Sequence, residues 1–251
     1  MTKINFAGIV DHSTLDYPGK VCAVVYLCGC PFRCPWCQNV ELVLKRGTCK
    51  PTEISLIVSE LEENFLIDAV CVTGGEPLMQ NEALELLKEI KERTPLLLKI
   101  DTNGFFPERL KRALKYLDFI SIDIKAPLDD RYCKVVGLPN REEIILPKLK
   151  ESLALIKDFK GKEARTTIVP GLIDKPEEIE AIAEVVKKFG FEIYTLQQFR
   201  AGKTLDPSYE KLPQPSPELM KTLGRIAKEK LPDIKVQVVT VQNGFEEIKL
   251  E

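Results

Sequence analysis

The sequence predicts an α/β fold built on a parallel sheet, and three observations carry that reading. Short β-branched runs alternate with longer helical patterns from residue 21 to residue 196. Most of those runs are continuously apolar, as parallel strands covered on both faces must be. The stretches between them repeat apolar residues at helical spacing. Six βα units follow one another, and such alternation implies right-handed crossovers between parallel strands. Six units rather than eight point to an incomplete barrel, open along one side. Periodicity alone does not separate that from a doubly wound open sheet.

The elements follow in order. A Pro18-Gly19 turn precedes a first strand at residues 21–27. Pro51-Thr52 reads as a helix start. The second strand falls at 69–73, and the helix after it aligns Leu84, Leu87 and Ile90 on one face. Strands three and four fall at 96–100 and 119–124, and the fifth at 165–169. Lys175-Pro176-Glu177-Glu178 opens a helix with acidic residues in its first turn; Ile179, Ile182, Val186 and Phe189 share its apolar face. The sixth strand falls at 192–196. A Pro-rich connector at 212–217 leads to a helix at 216–230 and a last strand at 235–241. No internal repeat, low-complexity segment or linker breaks the pattern. The expectation is one domain over 1–251, with a core at 18–205 and a C-terminal extension at 206–251.

A chain of 251 residues is long enough for one α/β domain with a substantial core. Its formal net charge of −2 gives no electrostatic case for a nucleic-acid partner. Residues 1–20 carry Asp11, Asp16 and Lys20 and lack a leader's apolar core, and no run reaches membrane-spanning length. A cytoplasmic protein without a membrane partner is the expectation. Eight cysteines in such a chain argue against a disulfide framework and for metal or catalytic use. Cys22 and Cys71 fall in apolar runs, where a thiol behaves as a small hydrophobe. His12, the only histidine, reads as a surface or capping residue.

The chemistry gathers at the predicted strand ends. Directly after the first strand comes Gly29-Cys30-Pro31-Phe32-Arg33-Cys34-Pro35-Trp36-Cys37. Three thiolates in one loop hold three corners of a cubane iron–sulfur cluster, where four cysteines normally close the site. The fourth iron is then open to an outside ligand, as chemistry requires. Cys28 with Cys34 and Cys37 is the competing register. After the second strand, Gly74 and Gly75 let backbone approach a ligand closely, and Glu76 can accept from an ammonium group. The third ends in Asp101-Thr102-Asn103-Gly104. In the fourth, Asp123 and Lys125 alternate with apolar neighbours and share one face, where buried charges need partners. Arg165 opens the fifth.

The C-x3-C-x2-C spacing, with an aromatic before the last cysteine, resembles the signature of the radical S-adenosylmethionine (radical SAM) enzymes. That resemblance implies a partial (β/α)6 TIM-type barrel. It also implies one 4Fe–4S cluster on Cys30, Cys34 and Cys37, with the amino acid end of SAM chelating the open iron. Gly74-Gly75-Glu76 resembles the superfamily's GGE element, which implies a grip on the SAM amino group. The runs holding Asp101 and Thr102, and Asp123 and Lys125, resemble those of glycyl-radical-enzyme activases. There they contact the SAM carboxylate and ribose and, in some members, a monovalent cation. Arg165 is a bidentate partner for the same carboxylate, and Trp36 packs beside the adenine or supports the cysteine loop. Ser13-Thr14-Leu15-Asp16-Tyr17-Pro18-Gly19 resembles the activases' lead-in. No histidine stands near Phe199, unlike the activases of pyruvate formate-lyase. Gln197-Gln198-Phe199 instead resembles activators of anaerobic ribonucleotide reductase. The resemblance covers residues 5–205. It implies a glycyl radical enzyme as protein substrate and an external one-electron donor such as flavodoxin or ferredoxin. The rival within the superfamily is an enzyme acting on a small molecule or RNA base. A zinc-binding interaction protein would need a fourth ligand, such as Cys28, and leaves Gly74-Gly75-Glu76 unexplained.

Overall fold

A computed structural model describes residues 2–250. The chain divides into two compact units. The first takes the residues up to Pro31 together with Asn39–Ser121, and the second takes Phe32–Gln38 and the chain from Ile122.

In the first unit, β1 (Lys3–Ser13) lies antiparallel between β2 (Cys22–Leu27) and β3 (Lys50–Glu53). Next to β2 runs β4 (Ala69–Gly74) and then β5 (Leu97–Thr102), all three parallel. The helices are α1 (Val40–Leu44), α2 (Ile54–Glu63), α3 (Ala83–Arg93) and α4 (Pro107–Ala113). Ala23, Val24, Val25 and Leu27 of β2 are all fully buried, so the strand is covered on both faces. Leu84, Leu87 and Ile90 of α3 form the expected buried stripe. Pro51-Thr52 does not open a helix. It lies in β3, whose pairing with β1 delays α2 to Ile54, with Glu53 as N-cap. Pro51 is tolerated there as β3 is an edge strand. The pairing of β1 with β3 was not anticipated. Half-exposed β1 carries only broken alternation, with Gly8 and Asn5 inside it.

β6 (Phe119–Asp123) begins in the first unit and ends in the second. The second unit continues with α5 (Arg131–Val135), α6 (Glu142–Leu155), β7 (Lys162–Ile168), α7 (Pro176–Lys188) and β8 (Ile193–Gln198). After α8 (Pro217–Lys230) come β9 (Lys235–Thr240) and β10 (Gly244–Glu247). β7, β8 and β9 are parallel, and β10 closes antiparallel on β9. The predicted start of α7 is present: Glu178 accepts from the Lys175 and Asp174 amides, and Pro176 stands at the first helical position. Residues beyond 205 are part of the packing rather than an appendage. Met220, Leu223 and Ala227 of α8, with Val236 and Val238 of β9, are buried, and α8 rests on both α7 and β9.

Candidate functional site

In the first unit the parallel pairing of β2 with β4 runs to Leu27 opposite Gly74. The cysteine loop and the Gly-Gly-Glu run therefore leave the sheet side by side. The Gly75 amide donates to the Leu27 carbonyl (2.9 Å) and the Glu76 amide to the Gly29 carbonyl (2.7 Å). A Cβ on Gly74 would stand 2.2 Å from the Leu27 carbonyl oxygen, and one on Gly75 2.2 Å from that of Gly29. Gly74 also has φ +126°, where a side chain is strained. Here the close approach the two glycines permit is to the cysteine loop's own backbone.

Glu76 is fully buried. One carboxylate oxygen accepts from the Leu78 amide (3.0 Å) and the Thr102 hydroxyl (2.8 Å); the other accepts from the Asn103 amide (2.7 Å). Three charge-assisted bonds thus lock the turn after β4 to the turn after β5. The Asn103 side-chain oxygen accepts from the Phe105 amide (3.1 Å), which aims its NH2 at the Cys30 sulfur, 3.6 Å away. Cysteine loop, Gly-Gly-Glu run and Asp101–Gly104 turn are joined through these two side chains. Asn103 was quoted in the sequence only as a turn residue.

Cys28 is disulfide-bonded to Cys49. That corrects the expectation that the cysteines form no disulfide, and it occupies the sulfur of the competing register. The preceding chain is fixed by buried Gln80, which bonds both backbone groups of Asn5 and the Cys28 carbonyl. Cys22, Cys71 and Cys133 form no disulfide and are buried; the Cys71 sulfur also accepts from the Lys99 ammonium (3.8 Å).

The charges at the strand ends come with partners two residues along the chain; in β5 and β7 both members lie in the strand, hence on the same face, while Lys125 lies just past the end of β6. Asp101 pairs with Lys99 at 2.6 Å, and Lys99 is fully buried. Its ammonium also donates to the Asp16 carbonyl (2.5 Å), while Asp16 accepts from Ser13. The lead-in loop is thereby anchored on β5. Lys99 was not singled out in the sequence; its signal was a charge inside the apolar run 96–100. In the second unit, Lys125 pairs with Asp123 (2.8 Å) and lies 5.1 Å from the centroid of the Trp36 ring. Burial is the largest single influence and pushes the Lys125 ammonium down, but the charge and hydrogen bond of Asp123, with the charges of Cys34 and Tyr132, together outweigh it and the pKa stands above the usual lysine value. Arg165 pairs with Glu163 (2.8 Å), and Glu163 accepts from Thr195, which in turn accepts from Gln237.

The rest of the cysteine loop sits in the second unit. The Arg33 amide donates to the Val136 carbonyl (2.9 Å), and the carbonyls of Pro35 and Cys37 accept from Asp206 and Leu205. Cys34 is buried and Cys37 half-buried. Desolvation pushes the Cys34 thiol up to about 12, opposed by the charge of Lys125. The Trp36 indole N–H is buried with no hydrogen-bond partner among the described residues. Among them, no three His, Cys, Asp or Glu side chains form a ready cage for a single metal ion. A four-iron cubane holds its thiolates farther apart than one ion does. The chemistry of the donors suits such a group: in the first unit Cys30 is in no disulfide and has an amide donor aimed at it, and in the second Cys34 and Cys37 are in no disulfide, with the charge of Lys125 acting on Cys34.

Comparison with known proteins agrees. Residues 24–186 match the Radical SAM superfamily. A Methanocaldococcus jannaschii protein named as a glycyl-radical enzyme activating enzyme is 36% identical over 246 residues, covering 96% of this chain and 98% of its own. The pyruvate formate-lyase-activating enzyme of Clostridium pasteurianum is 32% identical over 184 residues, covering 71% and 74%. Among solved structures, TYW1 with a lysine-pyruvate adduct superposes with TM-score 0.63 at 14% identity, covering 89% of this chain and 77% of that one. This last likeness is one of fold.

Proposed function

Because the chain belongs to the radical SAM superfamily and, within it, to the glycyl-radical-enzyme activating enzymes, we propose that it generates a glycyl radical on a partner enzyme, an anaerobic ribonucleotide reductase. The observation that carries the activating role is the likeness to an activating enzyme over nearly the whole of both chains. The finer choice of partner rests on Gln197-Gln198-Phe199 and on the lack of a histidine near it.

In this reading Cys30, Cys34 and Cys37 hold the 4Fe–4S cluster. When bound, the cluster would supply the one electron for reductive cleavage of SAM to methionine and a 5′-deoxyadenosyl radical able to take hydrogen from a glycine Cα. The chain's own residues bind and orient. Gly74, Gly75 and Glu76 receive the SAM ammonium at the edge where β4 ends. Asp101, Asp123, Lys125 and Arg165 set the charge around the carboxylate and ribose, Thr102 adds a hydroxyl there, and Trp36 offers a ring face to the adenine. The Lys99–Asp101, Lys125–Asp123 and Arg165–Glu163 pairs hold those charges in place before SAM arrives, and preorganised charge needs little rearrangement. A monovalent cation at the runs that hold Asp101 and Asp123 is part of the same proposal. The electron donor is a small redox protein of the flavodoxin or ferredoxin kind, and the reaction takes place in the cytoplasm.

The test is anaerobic incubation of reduced enzyme and SAM with the reductase. Electron paramagnetic resonance should show a protein glycyl doublet, with 5′-deoxyadenosine formed in proportion. Formation of 5′-deoxyadenosine only with an added metabolite or RNA, and no doublet on any partner, would replace this reading with the small-molecule or RNA one.

A further inference from the structure

We propose that Asn103 is a positioning residue for the cluster: its side-chain amide donates to the Cys30 sulfur and raises the cluster's reduction potential. The proposal rests on Cys30 being a ligand. Asn103 is buried and all three of its polar groups in view are committed. Its backbone amide donates to Glu76, its side-chain oxygen accepts from the Phe105 amide, and its NH2 points at Cys30. The bond to Phe105 fixes which end of the amide is oxygen, because that backbone N–H needs an acceptor. The end facing sulfur is therefore the donor.

The sign follows from charge. Reduction adds one electron to the cluster and its thiolates. A donor directed at a ligand sulfur stabilises that extra negative charge, so the reduced state gains more than the oxidised one. Hydrogen bonds to the sulfurs are among the recognised determinants of such potentials. The same residue is bonded through its backbone to Glu76, so it ties Cys30 to the Gly-Gly-Glu turn alongside the backbone bonds that already join the two runs.

The experiment is an anaerobic redox titration of the reconstituted cluster without SAM, read by the resonance signal of the reduced form. Wild type is compared with Asn103→Ala and Asn103→Asp, with iron and sulfide measured on each. Asn103→Asp keeps the acceptor for Phe105 and replaces the donor by a negative charge. Both variants should retain iron and become harder to reduce, by about tenfold in the equilibrium constant, or about 59 mV for one electron, with Asn103→Asp shifted further. Potentials equal to wild type in both variants overturn the proposal, since a residue that only braces the turn would not move them. Cys30→Ala separates this from the ligand assignment beneath it. Full iron in Cys30→Ala, with loss of iron in Cys28→Ala, overturns that assignment itself.

Discussion

A buried carboxylate at Glu76 serves three donors at once, and this changes how its substitution should be read. Glu76→Ala strands the Leu78 and Asn103 amides and the Thr102 hydroxyl in the interior. Each unsatisfied buried group costs about 1–3 kcal/mol, so urea unfolding should show a loss of about 3 kcal/mol or more. Weakened SAM binding in that variant would mix a broken turn with a lost contact. Glu76→Gln separates them, because it keeps an acceptor oxygen while removing the charge. It should unfold nearer to wild type and still bind SAM about tenfold or more weakly. Wild-type affinity in Glu76→Gln would remove the ammonium role and leave Glu76 as a purely structural cap.

At the scale of the element, β5 and β7 each carry an opposite-charge pair at i and i+2, Lys99–Asp101 and Glu163–Arg165, and Asp123 at the end of β6 pairs with Lys125 just beyond it. In β5 and β7 alternation puts both members on one face, where each answers the other's burial. The Lys99 pair is the most enclosed on the lysine side, and it also anchors the Asp16 carbonyl. Lys99→Met should destabilise by about 3–5 kcal/mol, because Asp101 is left charged without its partner. Adding Asp101→Asn should recover a large part of that loss, and a double-mutant cycle measures the coupling. Additive losses in the cycle would mean that the lysine matters only through the lead-in loop.

At the scale of the whole molecule, the segment beyond residue 205 belongs to the second unit's core. Met220, Leu223, Ala227, Val236 and Val238 are buried, and a fully buried apolar side chain of the larger kinds contributes roughly 1.5–3 kcal/mol. A chain ending at residue 205 should therefore fail to fold cooperatively, with β8 losing its neighbour β9. Thermal unfolding followed by circular dichroism checks this. A sharp transition near the wild-type temperature would return the segment to the status of a dispensable extension.

Legible in the sequence were the positions of the six strands, the parallel run of β2, β4 and β5 and of β7 and β8, the cysteine spacing and the family. Each is written in local pattern: apolar runs, helical periodicity and a spacing of three thiols along one loop. It also placed most strands within a residue or two, as with 69–73 against Ala69–Gly74. Pairing between distant segments was decided only by the tertiary structure. β1 and β3 find each other across an intervening strand and helix, so Pro51 reads as a helix start until its neighbour is known. Cys28 and Cys49 are separated by 21 residues, and nothing in either's local context names the other. Asn103 and Lys99 take their roles from what faces them, a sulfur on another loop and a carbonyl 83 residues away. Local sequence encodes what a residue can do. Only the folded chain brings up the partner that decides what it does.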